Sequence, residues 1–314
     1  MTVVTREQHE AALAALARVI PEPREGILGP RSVAWRLGGD LAVFLGGGRA
    51  ALLQLAHPMV AYAIDHHSRT RADIAGRFQR TFRHVFAMVF GDLDEAFRAA
   101  RRVHAIHSRI LGTIPITIGS FRAGTPYHAN DVDALRWVYA TLVDTTIAVR
   151  ERLDGALPPA LKDTYIGEMN RFAALFGIPA DDLPTTWAAH GLYMHRMLGA
   201  QTIAVAPCAR EMAMFLVGRE GHQPPAGRVA EAITASLLPP RLAHEFDLRS
   251  SRASALGVRA ALAAFAPMYR RVPHALVAIP ACSEAARRIA GRPPSRFAAW
   301  RERQLFGISG RVTG

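Results

Sequence analysis

Apolar residues recur at intervals of three and four along almost the whole chain, and this spacing is the feature that most limits its fold. Prolines and glycines interrupt the spacing, and no series of alternating apolar and polar residues marks a set of β-strands. The sequence therefore predicts an all-α protein, a single large multi-helix domain of about ten helices over residues 31–314, preceded by an N-terminal helix and loop over 1–30. The predicted helices cover 6–19, 40–66, 72–90, 94–111, 131–152, 158–176, 181–199, 204–218, 226–236, 254–266 and 280–291, and a short hairpin fits 112–130.

The composition is that of a globular protein with a sizeable core. Half of the residues are hydrophobic and 20% are charged. The formal net charge of +12 invites a nucleic-acid interpretation. However, the basic residues are scattered and form no run of five or six like charges, which favours solvated faces and ion pairs. No nucleic-acid partner is predicted.

The sequence also predicts the compartment. Two cysteines, Cys208 and Cys282, make no disulfide framework, and two free thiols suit a reducing compartment. The first twenty residues lack a basic start followed by an apolar run, so no signal peptide is expected. The longest apolar region, 41–63, contains Arg49, Gln54 and His57, which are costly in lipid. A cytoplasmic protein with no transmembrane segment is therefore predicted.

The stretch "RFQRTFRH" (77–84) combines two kinds of surface. On a helix, Arg77, Arg80, Thr81 and His84 share one face, because residues three and four apart stack along the axis. The opposite face is apolar. This pattern predicts that the polar face meets a ligand with anionic or hydrogen-bonding groups.

Histidine is concentrated near this stretch. Six histidines fall between residues 57 and 107, and His104 and His107 are three apart, close to one helical face. Neither the Glu-x-x-His pairs of di-iron bundles nor a His-Glu-x-x-His zinc motif occurs. Haem remains, because it needs an axial imidazole, apolar walls and cationic or hydroxyl groups for its propionates. Arginine suits the propionates, since its fork matches a carboxylate.

Four segments together resemble one bacterial and fungal family. The family contains the rubber oxygenases (latex-clearing proteins) and the oxygenase that trims the isoprenoid chain in mycophenolic acid biosynthesis. The resemblance covers about residues 31–290 and is best over 40–150. It implies an all-helical fold that holds haem b and splits a C=C bond with O2. The four segments are 46–68, 77–96 ("RFQRTFRHVFAMVFGDLDEA"), 103–112 ("VHAIHSRILG") and 127–144 ("YHANDVDALRWVYATLVD").

The resemblance also implies site residues. In rubber oxygenases an Arg-x-x-Lys-Thr motif lines the haem, and a histidine on the following helix is the axial ligand. By position, Arg77 and Thr81 match the arginine and threonine, and His107 matches the axial histidine. His104, one turn earlier, is the alternative ligand. Haem b with its iron is therefore the expected cofactor, with His107 as the metal ligand.

This sequence departs from the family in two places. The family lysine is Arg80, and a guanidinium cannot ligate iron, so Arg80 is expected to donate hydrogen bonds to bound oxygen or to a propionate. Arg80 and Thr81 are thus the predicted catalytic residues. The family's "WVHATLVD" carries Tyr139 in place of histidine. The rubber oxygenases are secreted, whereas no signal is expected here, which favours a smaller substrate than the polymer.

Several interpretations remain open. The first is a haem b-dependent oxygenase that acts with O2 on a small apolar, alkene-bearing substrate by cleavage, epoxidation or hydroxylation. The second is a haem-binding or sensing protein without turnover, and the third is a cofactor-free helical protein that binds a lipid-like ligand. Minor alternatives include a distal base among Asp65, His66 and His67. The oligomeric state does not follow from the sequence.

Overall fold

A computed structural model gives the architecture. It describes residues 1–67, 74–219, 225–249 and 251–307, and the side chains of all of these except 74–80 and 225–226. Within these ranges there are sixteen α-helices and one two-stranded antiparallel hairpin. The prediction of a mostly α protein is confirmed.

The elements follow one another with short connections. The first half contains α1 (Arg6–Val19), α2 (Val33–Gly38), α3 (Gly47–Leu55), α4 (Pro58–His67), α5 (Ile74–Phe90), α6 (Leu93–His107), β1 (Leu111–Thr113), β2 (Pro126–His128) and α7 (Val132–Asp154). The second half contains α8 (Pro159–Ala174), α9 (Trp187–Gly199), α10 (Pro207–Leu216), α11 (Pro225–Leu237), α12 (Pro240–Glu245), α13 (Arg252–Tyr269), α14 (His274–Val277), α15 (Pro280–Ile289) and α16 (Arg296–Phe306).

Local sequence signals set several helix starts. Thr5 and Gln8 form a capping box at α1, and Asp92 and Glu95 form another at α6. Asp131 caps α7 by accepting from the Ala134 N–H. Each cap satisfies backbone donors that a helix start otherwise leaves unpaired.

Helix α7 separates two hydrophobic cores. Its residues Leu135, Tyr139 and Val143 pack into a core that also receives side chains from α1, α2, α5, α6, α8 and α15. Trp137 and Ala140, on the other side, pack into a core with α3, α4, the β-hairpin, α9, α10 and α12. An apolar helix with two buried faces is typical of the centre of a large helical domain.

The helices outnumber the ten or so expected because one predicted segment is divided and because α2, α12, α14 and α16 lie where no helix was predicted. The predicted helix 40–66 is a 3-10 helix over Leu41–Gly46, then α3, then α4. The break between α3 and α4 falls at residues 56 and 57, just before Pro58, since proline has no N–H to donate. The predicted hairpin over 112–130 is confirmed as β1 and β2, with Gly112 opposite Tyr127.

The "GGG" stretch at 46–48 lets α3 approach its neighbours closely. A Cβ on Gly46 would meet the Thr145 and Val149 side chains of α7, and a Cβ on Gly48 would meet Thr234 of α11. These contacts are closer than any side chain permits. Gly46 and Gly48 therefore permit the close contact of α3 with α7 and α11.

The N-terminal helix shares the first core, where Leu13 and Leu16 of α1 are buried. The division into residues 1–30 and 31–314 stays a prediction, and 308–314 lie outside the described residues. Among the described helices, none has both the length and the apolar character needed to cross a bilayer.

Candidate functional site

The α5/α6 hairpin provides the framework of the candidate site. Gly91 and Asp92 alone separate the two helices, which pack against each other along their length. So short a connection makes the helices antiparallel. The N-terminal part of α5, which contains residues 77–81, therefore lies beside the C-terminal end of α6.

His107 is the last residue of α6. Its side chain is half-buried, and β1 begins four residues later at Leu111. The C-terminal end of α4 also reaches this point, because His67 Nε2 donates to the Leu111 carbonyl over 3.0 Å. His66 Nδ1 lies 2.9 Å from the Tyr127 hydroxyl on β2. The ends of α4 and α6 and the β-hairpin thus converge around the predicted ligand.

His104 faces a different part of the molecule. Its Nε2 donates to the Val4 carbonyl over 3.1 Å, and its ring stacks on His9 with centroids 4.5 Å apart. Asn130 Nδ2 donates to the His104 carbonyl over 3.2 Å. These contacts join the N-terminal segment to α6, and the His104 ring thereby helps to stabilise the fold.

The structure describes the predicted site residues Arg77, Arg80 and Thr81 of α5 to different extents. The Thr81 side chain is exposed, as a residue that contacts a bound group in an open site would be. Arg77 and Arg80 lie on the helix, but their side chains are outside the described part of the chain. Their assignment to propionates or to a distal ligand stays a prediction.

His57 is a buried histidine at the break between α3 and α4. It is 2% exposed, and its Nδ1 has no hydrogen-bond partner. Its ring faces Phe121 with centroids 5.6 Å apart. Burial lowers the pKa of the imidazole to about 4, so the ring is neutral at pH 7.

The pKa of His57 predicts a pH dependence of stability. Between the ordinary value of 6.5 and about 4, the unfolded chain binds a proton that the folded protein does not. Stability is therefore lost as the pH falls through this window, by about 3 kcal/mol when the whole shift is counted. Replacing His57 with leucine should remove this loss, measured as the difference between the free energies of unfolding at pH 7 and pH 4.5.

A matched control is His67→Leu, since the His67 ring is exposed. This variant should keep the pH dependence of the wild type. An unchanged dependence in His57→Leu would show that the His57 ring is hydrated and not buried in the folded protein.

Other metal-binding arrangements receive no support from the described residues. Within them, no group of three or more His, Cys, Asp or Glu side chains is placed to hold an ion. Cys208 is a free thiol, and burial raises its pKa to about 12. A thiol with so high a pKa stays protonated at pH 7 and makes a poor iron ligand.

A family model described as "ER-bound oxygenase mpaB/B'/Rubber oxygenase, catalytic domain" matches residues 35–271. The match covers about three quarters of the chain and includes every element from α3 to α13. The chain belongs to this family. No curated protein and no solved structure matches the chain. The α5/α6 hairpin is thus part of an oxygenase catalytic domain.

Two charged residues of the oxygenase domain form a buried pair. Arg49 Nη2 lies 2.5 Å from Asp144 Oδ2, and Arg49 also donates to Thr145 Oγ1 over 2.6 Å and to the Leu237 carbonyl over 2.8 Å. His190, fully buried, lies 3.5 Å from the other Asp144 oxygen. Burial alone would raise the pKa of the Asp144 carboxyl, but hydrogen bonds from His190 and Arg49 outweigh it and lower the pKa.

The pair of Arg49 and Asp144 has a structural role that the sequence pattern did not reveal. Arg49 and Asp144 belong to two of the four segments that resemble the oxygenase family, and they join α3 to α7 and α11. One sequence signal could have identified Arg49 and Asp144. Each is a charged residue inside an otherwise apolar helical run, and a charge buried in this way requires a partner. Tyr139 also has a structural role, because its hydroxyl donates to Asn170 Oδ1 over 2.7 Å in the first core.

Proposed function

We propose that this family member is a haem b-dependent oxygenase that acts with O2 on a small apolar, alkene-bearing substrate of the isoprenoid or lipid-like class. One observation carries the proposal. Within an oxygenase domain, the α5/α6 hairpin brings the segment 77–81 beside the end of α6 that bears His107. Family membership supports the oxygenase reaction, and the hairpin supports haem as the cofactor.

The resemblance to the family assigns the haem ligand to His107, with His104 as the alternative. His107 is half-buried at a helix end, where an imidazole meets both solvent and the protein interior. The His104 ring already donates to Val4 and stacks on His9. A haem iron takes one or two ligands from the protein and four from the porphyrin, so a cluster of three protein ligands is not required.

Each proposed residue has a defined task. His107 would hold the iron, and Arg77 would bind a propionate through its fork. Arg80 and Thr81 would orient the distal ligand or the second propionate as hydrogen-bond donors. Haem b, when bound, supplies the activation of O2. Apolar helices around the site would exclude water and receive the substrate.

Two measurements separate this function from its alternatives. The absorption spectrum of protein expressed with ample haem distinguishes a haem protein from a cofactor-free lipid-binding protein. Steady-state O2 consumption with apolar alkenes distinguishes an oxygenase from a haem-binding or sensing protein. We expect a Soret band and substrate-dependent O2 uptake; a haem-loaded protein that consumes no O2 with any alkene offered would contradict the proposed reaction.

Arg80 predicts an open iron site. A guanidinium stays protonated at neutral pH and offers no lone pair, so the ferric protein should have a high-spin absorption spectrum. Imidazole and cyanide should bind quickly. Arg80→Lys introduces an amine that can deprotonate, and it should convert part of the population to low spin at alkaline pH, as measured by absorption between pH 7 and 10.

Arg83→Lys is the matched control for this change, since it makes the same substitution three residues further along α5. It should leave the spin state unchanged. A wild-type spectrum that is fully low-spin at pH 7 would contradict an open site, and its loss in His57→Ala, His67→Ala or His84→Ala would identify the second ligand.

The same proposal includes a cytoplasmic location. Cys208 and Cys282 are both free and are buried in different cores, the second and the first respectively. Unpaired buried thiols are the usual state in a reducing compartment.

A further inference from the structure

The surface formed by α14 and α16 exposes large apolar side chains. Leu276 is 52% exposed, Phe297 51% and Trp300 50%, and Val272 just before α14 is 37% exposed. We call these four residues the α14/α16 patch. Single exposed apolar residues are ordinary, but neighbouring aromatic and aliphatic ones mark an interaction site.

Contacts of Arg301 join the two helices that carry the patch. Its Nη1 donates to the Ala275 carbonyl over 2.8 Å and its Nη2 to the Leu276 carbonyl over 2.6 Å. The same guanidinium lies over the Phe297 ring, 5.8 Å from its centroid, and Phe297 stacks on Trp300 at 6.0 Å. Arg301 therefore fixes α14 against α16 and presents their apolar side chains together.

Positive charge surrounds the patch. No acidic residue occurs between Asp247 and Glu284, and residues 251–307 contain ten arginines and two glutamates. This segment thus carries +8 of the net charge of +12. On α16, Arg296 and Arg303 lie four residues before and three residues after Trp300, which places all three along one side of the helix. The exposed arginines between residues 270 and 303 are Arg270, Arg271, Arg292, Arg296 and Arg303.

We propose that the α14/α16 patch binds the surface of an anionic lipid bilayer. Tryptophan and phenylalanine settle at the level of the headgroups, and arginines beside them contact the lipid phosphates while their stems lie on apolar surface. A second copy of the chain is a poorer occupant, because a two-fold contact would bring this segment against its own like charge. The patch lies beyond the family match, which ends at residue 271.

Co-sedimentation with lipid vesicles tests the proposal on the full chain. We expect binding to vesicles of phosphatidylcholine mixed with phosphatidylglycerol, weak binding to phosphatidylcholine alone, and weaker binding at high salt. Tryptophan fluorescence should shift to the blue on binding. Trp300 is the reporter, because Trp35 and Trp137 are buried and Trp187 is partly buried.

Variants identify the surface that binds. Phe297→Ser with Trp300→Ser should abolish co-sedimentation with the anionic vesicles, and Arg296→Gln with Arg303→Gln should weaken binding about thirtyfold. Leu192→Ser is the control, since Leu192 is an apolar residue on α9 that is 66% exposed. This variant should bind the vesicles as the wild type does. Binding that survives both pairs of substitutions, or an absence of wild-type binding to anionic vesicles, would overturn the proposal. So would self-association that is lost in Phe297→Ser/Trp300→Ser without any vesicle binding.

Discussion

Replacing His107 with alanine should remove haem from the protein. His107 lies at the end of α6 beside the segment 77–81 of α5, and the proposal assigns the iron to its imidazole. Without an axial ligand, the porphyrin keeps only its apolar contacts and its propionate contacts. We expect the Soret absorbance and the haem content of purified protein to fall to a small fraction of wild type, and O2 uptake to fall with them.

The matched control is His104→Ala, one turn earlier on the same helix. This variant loses the hydrogen bond to the Val4 carbonyl and the stacking on His9, so it should be less stable while it keeps its haem spectrum. Circular dichroism of both variants separates loss of haem from loss of fold. If His107→Ala keeps haem and a normal spectrum while His104→Ala loses both, the ligand assignment is reversed.

Replacing Arg49 with methionine should lower the free energy of unfolding more than any other substitution proposed for this protein. The substitution leaves the Asp144 carboxylate buried without its strongest partner, next to a His190 ring that is fully buried. Removal of one member of a buried ion pair costs about 3–5 kcal/mol. Urea denaturation of the haem-free protein, followed by circular dichroism, measures the loss without a contribution from the cofactor.

Two variants sharpen this measurement. Arg49→Met combined with Asp144→Leu removes both charges and should recover part of the loss, because no unpaired charge remains. Arg101→Met is the control, since its pair with Glu10 is on the surface and is worth at most about 1 kcal/mol. Equal losses in Arg49→Met and Arg101→Met would mean that water reaches the Arg49–Asp144 pair.

The sequence was enough to predict most of the helices, because helix formation depends on near neighbours. The predicted helix 6–19 coincides with α1, whose ends follow from the Thr5 cap and the change of spacing at Ile20. For the helix predicted over 131–152, either Asp131 or Asp133 fits as the N-cap, and the structure shows that Asp131 caps α7. Short helices such as α12, α14 and α16 were missed, since they are held by contacts with other elements and not by a long apolar period.

The candidate site was only partly readable from the chain. The polar face of "RFQRTFRH" and the spacing of His104 and His107 directed attention to α5 and α6, and the short connection at Gly91 sets their antiparallel order. The preference for His107 over His104 came from the resemblance and stays a prediction, and the structure adds that the His104 ring contacts Val4 and His9. Those partners lie about a hundred residues away in the sequence, so no local pattern reveals them.

By itself, the sequence determined a mostly α-helical fold, because apolar spacing, caps and prolines act over a few residues and need no knowledge of the rest of the chain. The oxygenase family followed from the resemblance of four segments and not from this spacing. Only the tertiary structure shows which polar groups form the buried ion pairs and hydrogen bonds that stabilise the fold. Arg49 meets Asp144 and Thr145 across 95 and 96 positions, and His190 joins them from a third helix. Such pairings depend on how the helices pack, because a buried charge is stable only where distant side chains supply its partners.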